Sequence, residues 1–331
     1  MGHRKKSAPR RGSLAYRPRA RATSIIPTVR TWPEIAIDKP SLLGFAGFKA
    51  GSTHIITIDD REKTPNFGKP VFNPATIIST PPIFVYGMRA YGRSNRGMFV
   101  IGDAYSEKLP KSLSKKSNAS RSMEGALKDI EANLDRVAQL SAIVSVYPKD
   151  AGLAQKEALL FEIGVGGGDI KARFEYLKSL LGKEIMIGDV VKPGTYVDVI
   201  SVSKGKGIEG PVTRFGIKRK QAKSRKSVRA VATLGPWHPA AVMYTVPRAG
   251  QMGYHQRAEY NKRVLLVSNS KEAEINPKGG FAHFGIINGD YIVLKGSVPG
   301  PTKRLVKIRL PLRSPKVKVL LPKIVEIGTR K

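Results

Sequence analysis

Between Glu209 and Glu259 the chain has no acidic residue. Within that stretch Lys218, Arg219, Lys220, Lys223, Arg225, Lys226 and Arg229 are crowded together, spaced by Gln, Ser, Val and Ala. Like charges at this density repel in any compact arrangement and attract polyanions. The segment therefore cannot serve as a core element. Gly235-Pro236-Trp237-His238-Pro239 follows, which fits neither a helix nor a central strand. The run over 204–258 reads as one long basic loop, and loops of that length inside a folded chain are usually functional.

The imbalance extends to the whole chain. It has 331 residues, with 58 Lys and Arg against 25 Asp and Glu, for a net charge of +33. The apolar fraction of 41% still allows a buried core. Length permits about two domains. Nucleic acid is the leading partner for so basic a chain. The absence of Cys excludes disulfides, thiolate zinc sites, iron–sulfur clusters and a Cys nucleophile. No apolar run approaches the roughly 20 residues of a membrane-spanning helix, and no secretory leader is evident, so a soluble protein of a reducing compartment is expected.

The N-terminus repeats the basic theme. Arg4, Lys5, Lys6, Arg10, Arg11, Arg17, Arg19 and Arg21 precede the first acid, Glu34, and Pro9, Pro18 and Pro27 interrupt any period. This predicts an extended arm that gains order along phosphates. From residue 41 the signals are those of strands: Ser52–Ile58, Ala75–Ser79, Ile83–Met88 and Gly97–Ala104. A Lys- and Ser-rich loop (108–120) leads to a helix expected over 122–140, with Leu127, Ile130, Leu134 and Val137 on one face. Strand-like runs at Ala142–Tyr147 and Ala158–Ile163 precede a second helix over 169–181, capped by Asp169 and ended by Gly182. Strand signals return at Tyr196–Val202, Arg263–Val267, Gly280–Ile287, Asp290–Leu294 and Leu305–Leu310. Asn288-Gly289-Asp290 reads as a hairpin turn. The expected order is a basic extension (1–40), a first β part (41–106), an α/β insertion (107–183), further strand (184–203), the basic loop (204–258) with Trp237 at its tip, a second β part (259–312) and a basic tail (313–331).

Chemistry-bearing motifs are weak by comparison. Gly164-Val165-Gly166-Gly167-Gly168 lies between a strand and a helix, but Asp169 stands where a dinucleotide fingerprint needs its third Gly. A tight strand-to-helix turn accounts for it better. Gly92-Arg93-Ser94-Asn95-Arg96-Gly97 misses a nucleophile elbow by one residue. His3, His54, His238, His255 and His283 show no metal-ligand spacing. No catalytic residue, cofactor or metal is expected. Lys and Arg of the loop neutralise phosphates and release counterions. Trp237, stiffened by two prolines, suits packing on unstacked bases.

Several blocks resemble one family. They are Lys204–Gly216 (KGKGIEGPVTRFG), Gly235–Ala240 (GPWHPA), Arg248–Arg257 (RAGQMGYHQR), Glu259–Lys262 (EYNK), Gly280-Phe281 and Tyr291–Pro301 (YIVLKGSVPGP). In this order they resemble the L three family of large-subunit ribosomal proteins, archaeal type, over essentially the whole chain. The resemblance implies a mainly β fold with an α/β insertion, built on a six-stranded Greek-key barrel of the translation-protein type. It implies a structural constituent of the large (50S) subunit in the cytoplasm, not an enzyme. Members bind 23S-type rRNA near its 3′ end, act early in assembly, and extend a loop toward the peptidyl transferase centre. The family's tip tryptophan matches Trp237. Neighbouring proteins would be L fourteen and L twenty-four e, with no membrane partner and no homo-oligomer. Bacterial members carry a methylated glutamine in the block matching Ala249–Gly253. The eukaryotic methyl-histidine has no counterpart between Lys204 and Trp237.

Candidate rRNA contacts are thus the eight arm cations and, in and beside the loop, Lys204, Lys206, Arg214, Lys218, Arg219, Lys220, Lys223, Arg225, Lys226, Arg229, Trp237, His238, Arg248, Gln251, His255, Arg257 and Lys262. The alternative is an RNA-modifying or other enzyme acting on rRNA, which would need the glycine run at 164–168 as a cofactor site.

Overall fold

The computed structural model describes residues 16–34, 38–107, 122–224, 227–238, 240–315 and 320–328. The Lys- and Ser-rich loop expected at 108–120 lies outside them. The chain divides into two compact units, Ile25–Val202 with Arg257–Lys331, and Met1–Ser24 with Ser203–Gln256.

In chain order the elements are β1 (Ser41–Leu42), β2 (Gly44–Ile58), β3 (Pro70–Ser79), β4 (Ile83–Ser94), β5 (Gly97–Tyr105), α1 (Met123–Ala132), β6 (Val137–Val146), β7 (Leu159–Gly166), α2 (Ile170–Leu180), β8 (Glu184–Ile185), α3 (Ile187–Val190) and β9 (Tyr196–Val202). After them come β10 (Ile208–Glu209), α4 (Pro211–Phe215), β11 (Gly250–Gln251), β12 (Gln256–Asn269), β13 (Asp290–Lys295), β14 (Leu305–Arg309) and β15 (Ile324–Gly328). The protein is mainly β.

One sheet of the larger unit has the order β14-β9-β12-β13-β3-β2-β15, and β14 also pairs with β2. Six strands thus form a circuit in which each pairs with two others. The register runs Phe48↔Ser79 between β2 and β3, Leu305↔Phe48 between β14 and β2, and Val306↔Ser201 between β14 and β9. Alternating β-branched residues place Ile55, Ile77, Val199, Val264, Val293 and Val306 out of solvent. The second sheet has the order β1-β7-β6-β4-β5, with β8 beside β4. One apolar cluster joins the two sheets and takes in Leu127 and Ile130 of α1 and Phe174 and Leu177 of α2.

Several expectations need correction. Strand signals group residues 83–105 with the first β part, but β4 pairs with β5 and β6 and so belongs to the second sheet. Strand signals identify a strand without naming its partner. The helix expected over 122–140 stops at Ala132. The Asn133 side chain donates to the Asp129 carbonyl at 2.8 Å, and Val137 opens β6. Leu134 and Val137 continue the helical spacing, but pairing of β6 with neighbours on both sides wins. The strand expected at Gly280–Ile287 is a turn with one bridge, Phe281↔Gly285. Gly279, Gly280, His283 and Gly285 all have positive φ there. Asn288-Gly289 is not a two-residue hairpin, because β12 ends at Asn269 and residues 270–289 intervene before β13. The basic tail contains β15, which pairs with β2.

The larger unit buries a charge pair. Arg309 meets Asp198 at 2.7 Å, with side chains 4% and 1% exposed. Asp198 also accepts the backbone N–H of Asn261 (3.0 Å) and of Leu312 (3.1 Å), and Arg309 donates to the Thr31 carbonyl at 2.6 Å. This pair ties β9, β12 and β14 to the segments before β1 and after β14. Truncating one member strands a buried charge, at a cost of about 3–5 kcal/mol. Asp198→Ala should lower urea-unfolding stability by that amount, and the double variant Asp198→Leu/Arg309→Met should recover most of the loss.

Lys307 is buried in β14, its Nζ 4.4 Å from the centre of the Phe161 ring. Burial pushes its ammonium down to about 7, and Glu162 opposes this only in part. In the unfolded chain the same lysine keeps its proton until about pH 10.4. Between these values the unfolded state binds more protons, so stability rises with pH across that window. Urea unfolding of the full chain should show this rise, and Lys307→Met should flatten it.

Candidate nucleic-acid interface

The smaller unit draws on both basic segments of the sequence. Its loop is closed at the base by β10 and β11, with Ile208↔Gln251 and Glu209↔Gly250 in register. Main-chain bonds extend the closure: Lys206 N–H to Met252 O at 2.9 Å, Met252 N–H to Gly207 O at 2.8 Å, and Ser203 N–H to His255 O at 2.9 Å. Gly253 has φ +72°, and a Cβ there would collide with the Lys204 carbonyl. The loop is not wholly irregular. Pro211 presets the first turn of α4, and Gly216, at φ +64°, ends it.

His255 fastens the arm to this base. Its ring is buried, Nδ1 lies 2.8 Å from the Ala20 carbonyl, and Nε2 accepts the Gly253 N–H at 3.1 Å. These partners fix the neutral tautomer with the proton on Nδ1. Its own N–H donates to Ser203 Oγ at 3.1 Å, and Ala22 N–H bonds Tyr254 O at 2.8 Å. Both ring nitrogens are therefore committed to protein partners.

Arg17, Arg19 and Arg214 gather around Phe215, with guanidinium carbons 6.0, 4.2 and 5.1 Å from the ring centre. Main-chain carbonyls hold them in place. Arg19 donates to Arg214 O at 2.7 Å, Arg214 donates to Gln251 O at 2.9 Å and to Arg248 O at 3.2 Å, and Arg17 donates to Tyr244 O. Burial and the nearby Arg17 charge push the Arg214 guanidinium below its ordinary value. The Gln251 amide donates to Gly253 O at 2.9 Å.

The remaining predicted contacts fall into groups. Arg21, Lys204, Lys206, Lys218, Arg219, Lys223, Arg229, His238 and Arg248 are exposed on the smaller unit, with Lys220 half-buried among them. Trp237 is 85% exposed, as a side chain kept for a partner requires and a core anchor does not. Arg257 and Lys262 belong to the larger unit, and Lys262 is paired with Glu259 at 2.5 Å. Arg4, Lys5, Lys6, Arg10, Arg11, Arg225 and Lys226 lie outside the described residues. Two aromatics escaped the sequence reading. Phe215 organises the arginines, and Tyr244 is 75% exposed beside Arg17. An aromatic next to Arg214, and another in the Val-Met-Tyr run after Trp237, were the available signals.

The glycine run at 164–168 offers no cradle. A Cβ at Gly164 would lie 2.6 Å from Trp32, and one at Gly166 would lie 2.7 Å from Leu43. These glycines admit neighbouring side chains of the same unit.

A β framework carrying a cation-rich, acid-poor unit with an exposed tryptophan defines a protein built to lie against a polyanion. The model of the family described as ribosomal protein L3 matches residues 1–327. Relatives named large ribosomal subunit protein uL3 are similar over nearly the whole chain. The one from Methanococcus vannielii is 42% identical over 98% of this chain and 97% of its own. That of Methanococcoides burtonii is 44% identical over 99% and 98%, and that of Caldivirga maquilingensis 44% over 93% and 91%. The chain belongs to the ribosomal protein L3 family, a family of ribosomal structural proteins, and is a constituent of the large ribosomal subunit.

The clasp on His255 is open to test. His255→Ala removes two hydrogen bonds that are worth about 1 kcal/mol each. Limited proteolysis of the full chain should then cut several-fold faster around Arg17–Arg21, while cleavage within the larger unit stays unchanged.

Proposed function

We propose that this chain is a primary rRNA-binding protein that binds 23S-type rRNA near its 3′ end and nucleates early assembly of the large subunit. The observation that carries this reading is the placement of charge. The smaller unit holds 19 Lys and Arg against the single acid Glu209. A subunit interior is densely anionic and can neutralise such a surface, whereas the protein itself offers it almost nothing.

The arm (1–40) and the loop (204–258) are the parts that reach into RNA. Trp237 at the loop tip packs against nucleotides near the peptidyl transferase centre. The circuit of β2, β3, β13, β12, β9 and β14 is the six-stranded Greek-key barrel of the family, and β6, β7, α1 and α2 lie in its α/β insertion (107–183). Phosphate contacts come from the exposed cations named above, and Trp237 and His238 face bases. His255 acts through the backbone it holds. Chemistry at the centre belongs to RNA, so no side chain here acts as a catalyst. Proteins L fourteen and L twenty-four e are its neighbours.

The test is sedimentation of a native lysate on a sucrose gradient at moderate and high salt, with the protein followed by mass spectrometry. Co-migration with the large subunit should survive high salt and vanish after RNase. Migration at the top of the gradient in moderate salt would overturn the proposal.

A further inference from the structure

Within the smaller unit a cavity of about 450 Å³ opens between the arm and the loop. Its lining includes Arg17, Arg19, Arg214, Arg248, Phe215 and Tyr244, and no acidic residue. That volume falls within the range of small-ligand sites, about 300–1,000 Å³. Four arginines line this space, three of them with guanidinium groups gathered at Phe215; their charges repel, and an anion placed among them relieves that repulsion.

The four arginines are not equivalent. Arg214 is spent on two carbonyls, those of Gln251 and Arg248, and so acts as a strut. Arg19 sits over Phe215, its guanidinium carbon 4.2 Å from the ring centre, and bonds the Arg214 carbonyl. Arg17 stands 5.1 Å from the Tyr244 ring centre and so covers one face of it. Tyr244 is nonetheless 75% exposed, so its other face is open. Arg248 is exposed at the rim. A fixed cluster of donors therefore adjoins a flat, open aromatic face, with the apolar Val242 and Met243 beside it. A phosphate alone would not need the ring, and a paired duplex keeps its base faces covered. A phosphate joined to an unstacked base uses both parts.

We propose that this cavity holds one unstacked nucleotide of the large-subunit rRNA, its phosphate against Arg17, Arg19 and Arg248 and its base on the open face of Tyr244. The proposal rests on the rRNA-binding reading above. It adds a second aromatic contact, separate from Trp237, at Tyr244, a residue the sequence did not mark. Phe215 is a positioning residue here, because the arginines cover it.

The experiment uses the full chain and the host's large-subunit rRNA transcribed in vitro. Ultraviolet crosslinks are mapped by mass spectrometry, and affinity is measured over a range of salt. Tyr244 should crosslink to one nucleotide. Tyr244→Leu should weaken binding roughly tenfold, the scale of one lost base stack, and leave the slope of log K against log salt unchanged. Tyr244→Trp should retain binding. Arg248→Gln should reduce that slope by about 0.7–0.9, the loss of one phosphate contact. Tyr244 is exposed, so its variants fold, and the wild-type crosslink map does not depend on any variant. Crosslinks at Trp237 with none at Tyr244, and full affinity in Tyr244→Leu, would overturn the pocket and leave rRNA binding standing. Crosslinks from Tyr244 to many scattered nucleotides would also overturn it. Absence of rRNA binding by the wild-type chain would remove both proposals together.

Discussion

Repulsion among cations that have almost no acidic partner governs how this protein is organised. In the larger unit arginines are answered by carboxylates. Arg89 meets Asp103 and Glu162, each at 2.6 Å, Arg61 meets Asp59 at 2.8 Å, and Arg263 and Arg309 meet Asp60 and Asp198. In the smaller unit, with Glu209 as its only acid, that solution is not on offer. Arg17, Arg19 and Arg214 are met instead by backbone carbonyls and by the Phe215 ring. Carbonyls and rings carry only partial charge. They fix the direction of a guanidinium but leave most of its charge to be met from outside.

That difference explains why the smaller unit spends its few specific contacts on shape. Gly253 brings the returning chain against the Lys204 carbonyl, where a Cβ would collide. The neutral His255 ring joins Ala20 to Gly253 without adding a charge. A lysine or arginine in that place would have deepened the repulsion, and a carboxylate would have competed with the external anion. An uncharged ring with one donor and one acceptor suits both partners at once.

Much of this was legible in the sequence, and the gaps have physical causes. Acid-free composition marked the stretch between Glu209 and Glu259 without help from geometry, because charge density needs no partner to be recognised. The second helix and the strands at Tyr196–Val202 and Asp290–Leu294 followed from period, although the Asp169 side chain makes no capping bond. Pairing did not follow. The membership of β4 and β5 in the second sheet depends on contacts with β6, more than thirty residues further along the chain. The helix end at Ala132 was hidden because Leu134 and Val137 kept the helical spacing by coincidence. β15 was hidden by the lysines and arginines around it. At the site, cations were visible singly, but their convergence on Phe215 was not. The side chain of His255 looked like a free contact because burial leaves no trace in a single sequence.

Salt acts differently on the two kinds of electrostatics found here. The Asp198–Arg309 pair is almost fully buried, and mobile ions screen such a pair weakly. On the proposed interface the exposed cations Lys204, Lys206, Lys218 and Arg219 would act through counterion release, which weakens steeply as salt rises. High salt would therefore loosen such phosphate contacts long before it loosened the fold of the larger unit. Base stacking on aromatic faces carries little of that salt dependence. Contacts of Trp237 and Tyr244 with bases would thus be the part of the interface that persists when the phosphate contacts have weakened. On that proposal, an exposed aromatic beside a cluster of cations would give this surface two forms of adhesion that fail under different conditions.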